Sequence, residues 1–156
     1  MIKINMKTFE LVAQDLIDKG VNFEKIVFTD TAISARISDT SVDKNYDPNM
    51  AIKTLIISTK NGPKAVILRG GDRVDQLKLK ALVGKWSVVD AKNLAERFNY
   101  LPGTICPLDL DLPMLIDQKA IELNVWNMGA GAIDKGIKLT VQEALKHIDK
   151  YEIVSI

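Results

Sequence analysis

Lys53, two glycine-bearing segments and one cysteine are the residues whose types and spacing can do chemistry in this chain. The first segment reads Tyr100-Leu101-Pro102-Gly103-Thr104-Ile105-Cys106-Pro107-Leu108 and holds two of the five prolines and the single cysteine. Proline fixes φ and has no N–H to donate, while glycine enters backbone regions closed to other residues. Gly103 and Pro107 are therefore expected to hold a loop open, with backbone N–H groups facing a ligand. The second segment, Gly129-Ala130-Gly131, closes an apolar strand pattern. It reads either as close backbone approaches that supply N–H donors to a developing oxyanion, or as an ordinary turn of positive-φ residues. It does not match a dinucleotide fingerprint, because strand rather than helix follows it, and no P-loop occurs.

Lys53 sits in Ile52-Lys53-Thr54-Leu55-Ile56-Ile57, where alternate residues point to opposite faces. Both faces are largely apolar, as in a strand covered on two sides. An unpaired ammonium there would cost several kcal/mol. The side chain must snorkel out at the strand's start, pair with a carboxylate, or project into a polar cavity. In the cavity it would anchor an ester carbonyl, a phosphate or a ribose hydroxyl.

Cys106 lies in a tight loop, but a thiol nucleophile needs an activating base or a positive field. The sole histidine, His147, falls in the last helical pattern, so Cys106 reads as a small side chain filling space. Asp72, Asp75, Asp109, Asp111 and Asp117 show no paired-carboxylate spacing, and Asp72 and Asp117 look like helix caps.

The elements that must position these residues follow from periodicity. Phe9, Val12, Ala13, Leu16 and Ile17 mark an amphipathic helix that Gly20 ends. Val21 to Phe28 reads as a strand, Ala32 to Ile37 as a short helix, and Ser38 to Asn49 as a polar loop. Ile52 to Thr59 and Ala65 to Leu68 form a hairpin across an Asn61-Gly62 turn. Asp72 or Asp75 caps a helix to about Val83. Trp86 to Val89 is a short strand, and Asp90 caps a helix through Phe98. Strands follow at Met114–Ile116, Leu123–Met128 and Ile137–Leu139. Thr140 and Glu143 have capping-box spacing for a helix to about Ile148, before a last strand at Ile153-Val154. Helices and strands interleave without strict βαβ alternation. The expected fold is therefore a single compact α/β domain of the α+β type over residues 1–156. It should have one mixed, mostly antiparallel sheet of six to seven strands flanked by helices.

A chain of 156 residues suffices for one domain with a real core. One cysteine excludes an internal disulfide and a Cys-rich zinc site, and one histidine disfavours a histidine metal site or a Ser-His-Asp triad. No apolar run reaches the roughly 18–20 residues that span a bilayer. The N-terminus lacks a signal-peptide core, so a cytoplasmic location is expected. A formal net charge of +1 sets up no global basic field. Lys60, Lys64, Arg69, Arg73, Lys78, Lys80 and Lys85 form either a local patch or a solvated face.

Taken in order and spacing, these segments resemble the YbaK/prolyl-tRNA-synthetase-associated editing domain family, whose members remove wrongly attached amino acids from tRNA. The resemblance runs from Ile52 to Ile148. It rests on Ile52-Lys53-Thr54-Leu55-Ile56-Ile57, Gly70-Gly71-Asp72-Arg73-Val74-Asp75, the Tyr100–Leu108 segment with its Gly-x-x-x-Pro loop, Leu115-Ile116-Asp117, and Val125-Trp126-Asn127-Met128-Gly129-Ala130-Gly131. It implies that Lys53 anchors the aminoacyl ester or the terminal adenosine. Gly103 and Pro107 would shape the pocket floor, and Gly129 and Gly131 would bring backbone groups to the scissile carbonyl. Thr54, Thr104, Ile105, Cys106, Pro107, Asn127 and Met128 would line the substrate's place.

The resemblance further implies water attack on the ester, assisted by the substrate's own ribose hydroxyl or by backbone groups, with no metal or other cofactor. The implied substrate is a mischarged tRNA, tRNA(Pro) carrying cysteine, alanine or a similar small amino acid, and the implied protein partner is a prolyl-tRNA synthetase. A non-catalytic tRNA- or nucleotide-binding module with the same pocket is the alternative. Two departures stand out. Many relatives have serine or alanine in place of Cys106, and the segment before Lys53 matches the family poorly.

Overall fold

The computed structural model describes residues 5–27 and 48–156. In chain order the elements are α1 (Phe9–Asp18), β1 (Glu24–Val27), a 3-10 turn (Pro48–Met50), β2 (Ile52–Thr59), β3 (Gly62–Arg69), α2 (Gln76–Val83), β4 (Trp86–Val88) and α3 (Ala91–Phe98). A second 3-10 turn (Pro107–Asp109) follows, then β5 (Met114–Asp117), α4 (Gln118–Ile121), β6 (Val125–Gly129), β7 (Lys135–Thr140), α5 (Val141–Leu145) and β8 (Tyr151–Val154). The expected helix over 32–37, and all but the end of the polar loop over 38–49, lie outside the described residues.

The β2–β3 hairpin is the spine. It is antiparallel from Ile52 opposite Arg69 to Thr59 opposite Gly62, so Lys60 and Asn61 form the turn rather than Asn61 and Gly62. Gly62, at φ +101, takes the positive-φ place that closes the turn. β4 adds antiparallel to the end of β2, while β5 adds parallel to β3 and β8 parallel to β5. The strands fall into two sheets, not the one expected: a five-stranded mixed sheet β4-β2-β3-β5-β8 and a three-stranded antiparallel sheet β1-β7-β6. The α/β class with antiparallel and mixed sheets flanked by helices is as the sequence led one to expect.

Both faces of the five-stranded sheet are covered, which is why the Lys53 strand carries apolar residues on each side. One face, with Ile52, Ile56, Ala65, Ile67 and Ile116, packs in a large core shared with Phe9, Val12 and Leu16 of α1 and with Trp126, Met128, Ile137 and Leu139 of the smaller sheet. The other face, with Ile57, Val66, Leu68 and Leu115, packs against Leu79 of α2. Besides this shared core, one parallel backbone bridge among the described residues joins the two sheets, Ala51 to Asn127.

Caps fix the helix starts. Thr8, Asp75, Asp90 and Thr140 accept from backbone N–H groups of α1, α2, α3 and α5. Two expected caps do other work. Asp72 pairs with Arg69, and Asp117 makes no cap bond but accepts from the Ile156 N–H at 3.0 Å. Glu143 does not complete a reciprocal capping box. Its carboxylate instead accepts from the Asn22 N–H at 3.1 Å, and α5 stops at Leu145 rather than near Ile148.

Candidate active site

The loop from Tyr100 to Asp109 is pinned at both ends. α3 stops at Asn99, whose φ of 63° is a left-handed cap, and this turns Tyr100 inward. The buried Tyr100 hydroxyl donates to Asp109 Oδ2 at 3.0 Å, and Lys7 Nζ reaches the same oxygen at 2.9 Å. Burial raises the Tyr100 phenol, so it stays a donor. Inside the loop, the Thr104 N–H and Oγ1 both donate to Leu101 O, at 3.1 and 2.8 Å. Gly103, exposed at φ +83, makes that tight fold possible. Pro107 opens the 3-10 turn that ends the loop and is buried.

The second glycine segment docks onto the first. A Cβ at Gly129 would lie 2.8 Å from the Thr104 carbonyl carbon and 3.0 Å from Ile105 O. The Gly131 N–H donates to Thr104 O at 2.8 Å. Gly131, at φ +87, also runs against α1, where an added Cβ would meet Thr8 O at 2.9 Å. The expectation of an open Gly131 donor is therefore corrected: its amide is committed to the neighbouring loop. The amides of Gly103 and Ile105 are donated to no described residue.

The start of β2 completes the cluster. Ala51 bridges Asn127 and accepts from the Gly70 N–H at 2.8 Å. Lys53 lies two residues beyond Ala51, as Gly129 lies two beyond Asn127, so parallel pairing carries both residues away from the junction in the same direction. Lys53 is half-buried, opposite Leu68, on the face of Leu55 and Ile57. Thr54 points into the large core and is 9% exposed. Arg69 clamps Asp72 through two nitrogens, at 2.7 and 3.2 Å. The Arg69 guanidinium, followed by the positive charges of Lys119 and Lys53, holds the Asp72 carboxyl below the usual carboxylate range. Lys53 thus stands at the edge of a charged cluster, not alone on a greasy strand.

Thr104, Ile105, Cys106, Asn127 and Met128 are all buried around this junction. Burial pushes the Cys106 thiol up to about 12, so it is protonated at neutral pH and is a poor nucleophile. The imidazole of His147 is engaged by Glu143 at 3.1 Å. The space-filling reading of Cys106 stands. Sequence reasoning missed the Arg69–Asp72 pair, although its i, i+3 spacing around Gly70-Gly71 was a signal. It also missed the Tyr100–Asp109–Lys7 network, for which Lys7 gave no local signal.

The fold and the junction define a class: an α/β scaffold in which two glycine loops dock main chain to main chain beside the residues that lead into a strand. Residues 34–147 match the family described as the aminoacyl-tRNA editing domain, and the chain belongs to that family. The match begins upstream of Lys53, taking in residues where the motifs had placed nothing. Among curated proteins the chain is similar to the proline–tRNA ligase of Legionella pneumophila (strain Corby), 26% identical over 138 residues, covering 85% of this chain and 24% of that protein. It is also similar to the proline–tRNA ligase of Streptococcus mutans, 28% identical over 127 residues, covering 79% of this chain and 20% of that one. The chain thus spans about a quarter or less of these relatives' length. A crystal structure of a candidate trans-editing enzyme for prolyl tRNA synthetase superposes with a TM-score of 0.81 at 15% identity, covering 97% of this chain and 98% of that one, and so shares the fold. Among the described residues no helix is long and apolar enough to cross a membrane.

Proposed function

We propose that this protein is a hydrolase that removes a small, wrongly attached amino acid from tRNA, acting in trans, with cysteinyl- or alanyl-tRNA(Pro) as the substrate class. The observation that carries this reading is the docking of Gly129 and Gly131 onto the backbone of Thr104 and Ile105 beside the start of the Lys53 strand. Such a junction suits a small acyl group and a reaction that needs donors to a carbonyl rather than a side-chain nucleophile.

In this reading the Lys53 ammonium anchors the ester or the terminal adenosine. Water adds to the ester carbonyl, and charge develops on the carbonyl oxygen. Backbone N–H groups of the loops stabilise that charge, with Gly103 and Ile105 the available donors and Gly131 serving as the lock between the loops. The carbon–oxygen bond to the ribose then breaks, the ribose oxygen takes the proton given up by the attacking water, and the free amino acid and an uncharged tRNA 3′ hydroxyl leave. Thr54, Thr104, Ile105, Cys106, Pro107, Asn127 and Met128 limit the space for the side chain. A prolyl-tRNA synthetase is the implied source of the mischarged substrate, the cytoplasm the implied compartment, and residues 1–156 the implied single editing domain.

The test is a deacylation panel of alanyl-, cysteinyl-, seryl- and prolyl-tRNA(Pro). Hydrolysis of the non-cognate esters with prolyl-tRNA(Pro) spared is expected. Tight tRNA binding with no cleavage of any ester would instead select the non-catalytic binding module.

A further inference from the structure

Toward the far end of β2 and β3 from Lys53 the chain builds a second concave surface. Lys60, Lys64 and Lys150 line a cavity of about 670 Å³, closed on one side by the end of α2 at Leu82, Val83 and Gly84. A separate hollow of about 440 Å³, lined by Gln76, Leu77, Lys80, Lys85 and Trp86, begins one residue past Gly84 in the chain. Trp86 is half-buried against the core under α2, and its indole N–H makes a long bond to Gln76 O, 3.5 Å. The carboxylates lining the two hollows are Asp149 and Glu152, against five lysines. None of the five lysines forms an ion pair with a described residue, whereas Lys7, Lys19, Arg69, Lys135 and Lys146 all do.

Chemistry selects the partner. Lysines are compact point charges on flexible stems, suited to phosphate oxygens but not to the bidentate reading of base edges that arginine performs. A surface whose lining cations are all lysines therefore fits a phosphate backbone read without regard to sequence. Placement selects which backbone. Lys53 and Ile57 share one face of β2, and Ile57 pairs directly with Lys64. Four residues of strand separate them, about 14 Å at ~3.4 Å per residue. The groove is thus too far to touch a ligand atom held at Lys53, yet lies on the same side of the sheet.

We propose that this groove binds the phosphate backbone of the duplex stem that leads into the single-stranded 3′ end of tRNA, while the glycine junction receives the terminal aminoacyl nucleotide. The inference rests on the hydrolase reading above and adds a second contact to it. Trp86 gives the same surface a flat apolar face beside Lys85, on which a sugar or an unpaired base can lie.

The test uses the full chain and a Lys60→Glu/Lys64→Glu/Lys150→Glu variant, with the matching Lys→Gln triple variant as the size-preserving control. Binding of uncharged tRNA is measured across a salt series. Expected are at least a ~10-fold loss of affinity for the Glu variant, a smaller loss for the Gln variant, and a salt slope shallower by roughly two to three units. In parallel, kcat/KM is compared on aminoacyl-tRNA and on the aminoacyl ester of a CCA trinucleotide, which lacks the stem. The expected loss is confined to the tRNA substrate. Unchanged tRNA affinity and salt slope overturn the groove, as do equal losses on both esters. If the wild-type protein binds tRNA through the groove but cleaves neither ester, the hydrolase reading fails and the groove survives.

Discussion

The amide of Gly131 donates to the carbonyl oxygen of Thr104 at 2.8 Å, and this bond ties two loops that lie far apart in sequence. Beside it, Gly129 sits so close to Thr104 and Ile105 that even a methyl group would collide with main chain, which has no rotamer to escape through.

Gly129→Ala is therefore expected to push the loops apart. Overpacking against backbone costs roughly 1–3 kcal/mol, read as a lower urea midpoint with an unchanged slope. Deacylation should fall further than stability does. Gly131→Ala adds a positive-φ penalty of about 1–2 kcal/mol to its clash with Thr8 O. An unchanged midpoint and full activity for both variants would refute the proposed role of this junction.

Substitution of Lys53 tests the proposed binding chemistry apart from scaffolding. It is half-buried at a strand start, so Lys53→Ala should leave the melting temperature within a few degrees while kcat/KM for mischarged tRNA drops by about 10²-fold or more, the range seen when one electrostatic contact to a reacting group is lost. Normal turnover by the folded variant would remove Lys53 from the mechanism.

Cys106 should be silent. With no exposed surface and a thiol held up near 12, it should resist iodoacetamide at pH 8 in the native state and react once the chain is unfolded. Cys106→Ala should keep activity within a few-fold. Rapid native labelling with loss of turnover would revive a thiol mechanism.

The Tyr100–Asp109–Lys7 network should report on the loop. The Asp109 side chain is 5% exposed and receives both the phenol and the ammonium. Asp109 accepts from the phenol and faces the partly exposed ammonium groups of Lys7 and Lys19, and Asp109→Ala is expected to destabilise the protein by about 2 kcal/mol, measured by denaturant titration. Tyr100→Phe removes one hydrogen bond and should cost nearer ~1 kcal/mol.

Acid should release the Arg69–Asp72 clamp. The Asp72 carboxyl is lowered when folded, so its stabilisation is present above the unfolded value near ~3.9 and is lost as pH falls below it toward the folded value. Both side chains are partly exposed, so the effect is small, about 0.5 kcal/mol. Asp72→Asn should flatten the difference between pH 6 and pH 3. An equally steep acid limb in the variant would assign that limb to other carboxylates.

Three helix starts were legible because caps are local: Asp75, Asp90 and Thr140 stand where side-chain oxygens are needed, whereas the Thr8 cap of α1 was not read. The β2–β3 hairpin was legible from alternation, but its turn fell one residue earlier, since Gly62 serves as the left-handed closing residue and not within the turn. The division into two sheets was not legible. It depends on β7 pairing with both β1 and β6, and on β6 bridging to Ala51 just before β2, a long-range choice that periodicity does not encode. At the candidate site the residue types could be picked out, but not the use of the Gly131 amide, because the Thr104 carbonyl that takes it is 27 positions away in sequence.

A cavity wall of peptide groups carries no functional group that point mutation can exchange. In the proposed reading such a wall offers only fixed N–H and C=O groups, so altered substrate choice would have to come through the neighbouring side chains, Thr54, Ile105 and Met128. Substitutions at those three positions would alter the fit of the proposed substrate while the bond between Gly131 and Thr104 stays in place.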